Sequence, residues 1–205
     1  MSNHAKPPCV ILAGGLSRRM GGEHKFLKPL GRKSLLEHVI DAVKPQVSDI
    51  LINSNTNIDE TRYPVRADSF AGNLGPLCGI LTGLEYFSEI GTEATHMLCV
   101  PSDAPFIPLD LVDRLSDVLS GSSYSIAMAY SNHRIHPVVS LWPFSLLDDL
   151  RNALEQEDLR KILVFAERYS LRSAEWEAGD LDPFFNINRP EDLVAADALQ
   201  RSEKK

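Results

Sequence analysis

The chain lacks any apolar run approaching the roughly 20 residues that cross a bilayer, so no membrane-spanning helix is expected. It has no internal repeat and no low-complexity tract, the composition of an ordinary globular protein. The opening residues Met1 to Pro8 show none of the apolar stretch of a secretory leader. Cysteine is scarce: Cys9, Cys78 and Cys99 are an odd number, lack metal-type spacing and sit in apolar company. They predict reduced, buried thiols in a cytoplasmic protein. A basic excess is missing too, with 21 Lys and Arg against 28 Asp and Glu and a net charge of −7, which argues against nucleic acid as a partner. Both common phosphate fingerprints are absent. Gly22 is separated from Lys25 by Glu23 and His24, unlike a P-loop, and the adjacent Gly14 and Gly15 break the Gly-x-Gly-x-x-Gly spacing.

What is present starts at the N-terminus. Cys9 to Ala13 has the length and make-up of a buried parallel strand. It stops at Gly14-Gly15-Leu16-Ser17-Arg18-Arg19-Met20-Gly21-Gly22-Glu23-His24-Lys25. Glycines let a ligand approach backbone N–H groups, and the cations supply charge, so this loop is suited to phosphate. Residues 1–34 carry seven basic side chains against the single acid Glu23, while the remaining chain holds 14 basic and 27 acidic residues. A cationic island in an acidic chain points to a small anionic ligand.

The rest alternates strand and helix. Leu35, Leu36, Val39, Ile40 and Val43 have helical spacing, with Ser34 and Glu37 as a capping box and Pro45 as the stop. A second strand ends at Asn53, and a weaker one lies near Val65 to Asp68. Pro76 opens a helix in which Gly75, Gly79 and Gly83 share one side and call for close approach of a neighbouring backbone or a ligand. His96 to Val100 is a buried strand running into Pro101-Ser102-Asp103-Ala104-Pro105, where two prolines restrict the mount of Asp103. A helix is expected over Leu109 to Leu119, with Asp110 in its first turn. Strands over Tyr124–Tyr130 and Pro137–Trp142 look like a hairpin-like excursion in which His133 and His136 are surface or strand-end residues. Helices over Ser145–Leu154 and Asp158–Arg168, a strand within Tyr169–Trp176 and a final helix from Pro190 complete the pattern. The expectation is an α/β chain: a single Rossmann-like three-layer domain over residues 1–205, with a mostly parallel sheet, helices on both faces and a small β excursion around 124–142. The domain would fall into a glycine-rich half over about 1–108 and a second half over about 109–205.

Parallel strands ending at Ala13, Asn53 and Val100 would gather the glycine loop, Asn53 and Asp103 along one carboxyl edge. Such a site offers N–H donors, Arg19 and Lys25 as cations, and a carboxylate able to hold Mg²⁺. No Ser or Cys is placed with a His at interpretable spacing, so a protein nucleophile is not indicated. These pieces suit attack by a substrate phosphate on the α-phosphorus of a nucleoside triphosphate, with pyrophosphate leaving over Arg19 and Lys25 and Mg²⁺ on Asp103.

Leu12-Ala13-Gly14-Gly15, Ser17-x-Arg19-Met20-Gly21 and Lys25 resemble the opening signature of nucleotidyltransferases that activate sugars and cofactors. Gly75-Pro76-Leu77-x-Gly79, Pro101-x-Asp103-x-Pro105-Phe106-Ile107-Pro108 and Asn186-x-Asn188-x-Pro190-Glu191-Asp192-Leu193 narrow the resemblance to molybdenum cofactor guanylyltransferases, across nearly the whole chain. The resemblance implies GTP plus molybdenum-molybdopterin giving the guanine dinucleotide cofactor and pyrophosphate. It also implies Mg²⁺ (or Mn²⁺) and transient contact with cofactor-delivering and cofactor-accepting proteins. Leu12, Ala13, Gly14, Lys25, Asn53, Asp68 and Asp103 would contact GTP, with Gly15 and Gly79 beside them. Asp103 would also hold the metal, and Asn186 and Asn188 would face the pterin.

The chain departs from the family pattern at His24, Ser102 and Arg189, where many relatives carry Asp, Cys and Thr. A cytidylyltransferase on the same molybdopterin is the nearest alternative. Those relatives tend to read Leu-Ala-Ala-Gly, whereas Gly14 here leaves room for a larger base. A sugar-1-phosphate nucleotidyltransferase would need a second, late acidic ligand, for which Asp182 is the one obvious residue. A GTP-binding sensor or chaperone without turnover is the alternative of a different class.

Overall fold

The computed structural model describes residues 5–14, 25–58, 61–72, 75–179 and 182–202. In chain order the elements are β1 (Cys9–Leu12), a hairpin of β2 (Pro29–Leu30) and β3 (Lys33–Ser34), α1 (Leu35–Val43), β4 (Ile50–Asn53), β5 (Val65–Arg66) and α2 (Pro76–Ile90). They continue with β6 (His96–Pro101), α3 (Leu111–Leu119), β7 (Ile126–Ser131), β8 (Arg134–Pro143), α4 (Leu147–Gln156), α5 (Ile162–Ala166), β9 (Leu171–Glu175) and α6 (Pro190–Ser202).

Consecutive side chains of a strand point to opposite faces, and all four residues of β1 are buried. Cys9 and Ile11 therefore enter one core with Leu36, Val39 and Ile40 of α1 and Leu111 and Leu115 of α3. Val10 and Leu12 enter a second core with Leu77, Ile80, Leu81 and Leu84 of α2 and the apolar sides of α4 and α5. Two apolar faces require cover on both sides, and the result is three layers. The seven-stranded sheet runs β5-β4-β1-β6-β8-β7-β9. β8 is antiparallel to both neighbours, and the other four pairings are parallel.

The local signals hold at α1, where Ser34 and Glu37 form the expected capping box. Gly75 takes φ of +78°, a region favouring glycine, and leads into Pro76 at the start of α2. Other expectations need correction. The stretch around 124–142 is no small excursion: β7 and β8 belong to the main sheet, with β8 beside β6. The reason is that Leu141 and Trp142, both buried, belong to opposite cores, a demand an interior strand meets. Helix α3 starts at Leu111, and Asp110 makes no capping bond; its Oδ1 accepts from Trp176 Nε1 at 3.1 Å. α5 spans only Ile162–Ala166 of the expected 158–168; Asp158 has φ of +51° and Lys161 is extended, so no helix runs ahead of Ile162.

A third, smaller core decides the placement of the C-terminal segment. Leu30 and Leu35 pack with Ile187 and Ala196, so the chain around α6 closes against the β2–β3 hairpin. That brings residues 185–192 to the side of the sheet where Lys25 and Asp103 stand.

Candidate active site

Register alone aligns the carboxyl edge. Leu12 is level with Asn53 on one side and with Pro101 on the other. The ladders continue past the formal strand ends: Ala13 N–H donates to the Asn53 carbonyl at 2.8 Å and Ser102 N–H to the Leu12 carbonyl at 3.0 Å. Leu12 and Ala13 are buried and Gly14 is exposed, so the chain reaches solvent beside Asp103. Among the described residues a Cβ at Gly14 would meet nothing within 4 Å. Gly15 and Arg19 lie outside the described residues.

Lys25 opens a short 3-10 turn anchored by buried Phe26. Its ammonium pairs with Asp103 Oδ2 and donates to Asn188 Oδ1 at 2.7 Å. The two charged side chains are only 17% and 19% exposed, so their attraction is less screened than on an open surface. Ile187 N–H donates to the Asp103 carbonyl at 2.9 Å. One lysine and one aspartate thus join the strand ends to the Asn186–Asn188 segment. Asn188 donates to the backbone carbonyl of Asn186 at 3.3 Å, and Ile187 between them is buried. Both asparagines line a cleft with Pro101, Arg134, His136 and Arg189.

Asp103 Oδ1 is buried and has no hydrogen-bond donor among the described residues. A buried carboxylate oxygen left this way suits a hard cation, which prefers oxygen. Among the described residues no group of three or more His, Cys, Asp or Glu could hold a metal. The donor set therefore fits a cation shared between one carboxylate and ligand oxygens, the usual manner for Mg²⁺ on a nucleotide.

A second cluster lies at the β4 end. Asn53 donates to Asp68 Oδ1 at 3.0 Å and to the Arg66 carbonyl at 3.3 Å. Asn55 clamps the same aspartate twice: its amide donates to Asp68 Oδ2 at 2.7 Å and its oxygen accepts Asp68 N–H at 2.8 Å. Asn55 escaped the sequence reading, although Asn53-x-Asn55 repeats the Asn-x-Asn spacing recognised at 186–188. Gly79, left open between a ligand and a packed neighbour, is buried. A Cβ there would collide with Asn53 Oδ1 and come within 2.8 Å of Leu12 Cδ2. Its neighbour is therefore protein: Gly79 packs against the Asn53 side chain.

His136 is a correction of another kind: it lies within β8, half-buried, 2.7 Å from Ser131 Oγ and 3.6 Å from Asp182 Oδ2. Asp182 itself is buried and engaged by Ser131 and by Phe184 N–H. The three cysteines are free and buried, and burial raises each thiol above its ordinary value. Inert, protonated thiols are consistent with a site that uses none of them.

A parallel-sheet edge that ends at Gly14, beside a Lys25–Asp103 pair whose carboxylate is suited to a cation, has the chemistry that nucleotidyl transfer calls for. The MobA-like NTP transferase domain matches residues 9–171. A molybdenum cofactor guanylyltransferase of Rhodopseudomonas palustris (strain BisB5) is 43% identical over 204 residues, covering 97% of this chain and 96% of that protein. The crystal structure of molybdopterin-guanine dinucleotide biosynthesis protein A from Archaeoglobus fulgidus shares the fold, with a TM-score of 0.76 at 22% identity over 95% of this chain and 99% of that one. Rv0371c of Mycobacterium tuberculosis H37Rv, solved in complex with manganese, has a TM-score of 0.65 at 16% identity over 94% and 98% of the two chains. The chain belongs to the molybdenum cofactor guanylyltransferase family of MobA-like NTP transferases, and is an enzyme of the nucleotidyltransferase class.

Proposed function

We propose that this enzyme transfers GMP from GTP to the phosphate of molybdenum-molybdopterin, giving the guanine dinucleotide cofactor and pyrophosphate. The observation that carries the reading is the Lys25 ammonium held between Asp103 and Asn188, where a nucleotide edge meets an acceptor segment. In this reading residues 1–108 bind the nucleotide and residues 109–205 the acceptor. Leu12, Ala13, Gly14 and Gly15 present backbone to the triphosphate, and Lys25 with Arg19 neutralises the pyrophosphate as it leaves. Asn53 and Asp68 face the nucleoside, with Gly79 making room for the Asn53 amide. Asn186 and Asn188 orient the acceptor so that its phosphate attacks the α-phosphorus in line, and no protein nucleophile is needed. Asp103 would hold Mg²⁺ or Mn²⁺ through Oδ1, and the bound ion supplies neutralisation of the phosphate oxygens.

Transient contacts with proteins that deliver molybdopterin and accept the product belong to the same reading, as does a cytoplasmic location. No described helix is long and apolar enough to cross a membrane. The test is pyrophosphate release by the purified protein with molybdenum-loaded molybdopterin and Mg²⁺, offering GTP, CTP, ATP and UTP separately. Release with GTP alone is expected. Release with CTP moves the chain to cytidylyl transfer, and GTP binding without release makes it a sensor.

A further inference from the structure

The acceptor cleft is backed by a buried polar chain that none of the proposed steps uses. Ser131 ends β7 fully buried, and Asp182 is 8% exposed. The Ser131 hydroxyl donates to Asp182 Oδ1 at 2.7 Å and lies 2.7 Å from His136 Nε2. A serine has one hydroxyl hydrogen and a carboxylate can only accept. With that hydrogen given to Asp182, His136 Nε2 must be the protonated nitrogen and donate to Ser131 Oγ. The chain therefore runs one way, from His136 through Ser131 to Asp182. Asp182 Oδ1 also accepts Phe184 N–H at 2.8 Å, and Oδ2 accepts from Arg134 at 3.3 Å.

These bonds tie the β7–β8 hairpin to the start of the segment that carries Asn186 and Asn188. The far end of that segment is tied to the site itself, by Ile187 N–H on the Asp103 carbonyl and Lys25 on Asn188. Between the two anchors Phe184 is buried, its ring 5.0 Å from His136 and 5.1 Å from Trp176. The segment is not a strand of the described sheet; its backbone tie to the site is the Ile187–Asp103 bond, and the bonds of Asp182 and of Lys25 to Asn188 hold its two ends. Well-packed apolar groups often replace a buried ion pair without loss of stability, and a fully bonded acid adds a defined geometry that they lack.

We propose that Asp182, Ser131 and His136 are positioning residues for the acceptor: they set where Asn186 and Asn188 stand relative to Lys25 and Asp103. The proposal rests on the transfer reaction above, and its test is chosen to separate the two. In an Asp182→Ala variant the Ile187 amide, followed by NMR hydrogen exchange without substrates, should exchange about tenfold faster or more, the scale of a lost bond to a charged group. The KM for molybdopterin should rise by a similar factor, while the Kd for GTP, measured by calorimetry without acceptor, stays within about twofold. Asp182→Asn keeps a carbonyl for Phe184 N–H and Ser131 and should recover part of both effects. If Asp182→Ala does not fold, Ser131→Ala reads the same quantities. Unchanged Ile187 exchange, or acceptor KM and GTP Kd moving together, overturns the proposal. A wild-type enzyme that releases no pyrophosphate overturns the transfer reaction instead, and the exchange measurement still decides whether the chain positions Ile187.

Discussion

Gly79 of α2 lies flat against the side chain of Asn53 at the end of β4, with no room for a methyl group between them. The oxygen of the Asn53 amide is turned to the helix, and its nitrogen is thereby turned to Asp68. A helix gains about 1 kcal/mol when an interior glycine becomes alanine, but here the new methyl would displace the amide. Gly79→Ala is expected to raise the KM for GTP about tenfold or more, the scale of a lost bond to a charged group. Gly83 is its control. A Cβ there meets Met97 Sδ at 2.7 Å and Val10 Cβ at 2.8 Å, away from the polar edge. Gly83→Ala should cost about 1–3 kcal/mol in urea unfolding through overpacking, with KM unchanged. Equal KM effects from the two variants would refute the role given to Asn53.

Asn55 has no side chain between it and Asp68, and holds both the carboxylate and the N–H of that residue. Asn55→Ala is expected to weaken GTP binding about tenfold in calorimetry while leaving the acceptor KM in place. An unchanged Kd would remove Asp68 from the nucleotide site or show that Asn53 suffices to orient it.

Asp103 and Lys25 should fail differently. Asp103→Asn removes the oxygen charge suited to the cation and is expected to lower kcat by about 10²–10³, with loss of Mn²⁺ binding seen by electron paramagnetic resonance. Lys25→Ala should keep Mn²⁺ binding and lose GTP affinity. An Asp103→Asn enzyme with full activity and full Mn²⁺ binding would sink the metal assignment.

Stability should fall on mild acidification. Burial lowers the His96 imidazole, and it lowers His136 despite the opposing pull of Asp182. The unfolded chain then takes up protons first, at about pH 6.5. Stability is complete above that value, declines as the pH falls towards the depressed folded values, and levels off below them. Burial alone would raise the Asp182 carboxyl, but the bonds from Ser131 and Phe184 N–H and the charges of His136 and Arg134 outweigh it and hold it low. Its contribution is present at neutral pH and is lost only in stronger acid, as the pH falls through that lowered value. Urea midpoints between about pH 7.5 and 5.5 should decrease, and His96→Gln should flatten the slope. A midpoint that rises over this range contradicts the burial of both imidazoles.

Much of this protein is written locally in its sequence. The continuous apolar run of β1 required cover on both faces, and Ser34 with Glu37 started α1 within one turn of chain. Pro76 and Pro190 opened their helices because a missing N–H costs nothing there. The ordered glycine, aspartate and asparagine motifs carried the family across nearly the full length. Long-range packing decided the rest. Leu141 and Trp142 read as an outlying strand until the sheet supplied a core for each. Asp182 looked like an unattached late acid because its partners, Ser131 and His136, are about fifty residues away and meet it only through the hairpin. Asn55 and Gly79 acquire meaning only through Asp68 and Asn53. The sequence by itself determined the strand ends and the glycine, lysine and aspartate that stand near them, because periodicity, caps and turn residues act over a few residues. Only the tertiary structure decided that Lys25 stands between Asp103 and Asn188, because no local preference specifies a contact across 78 or 163 positions of chain.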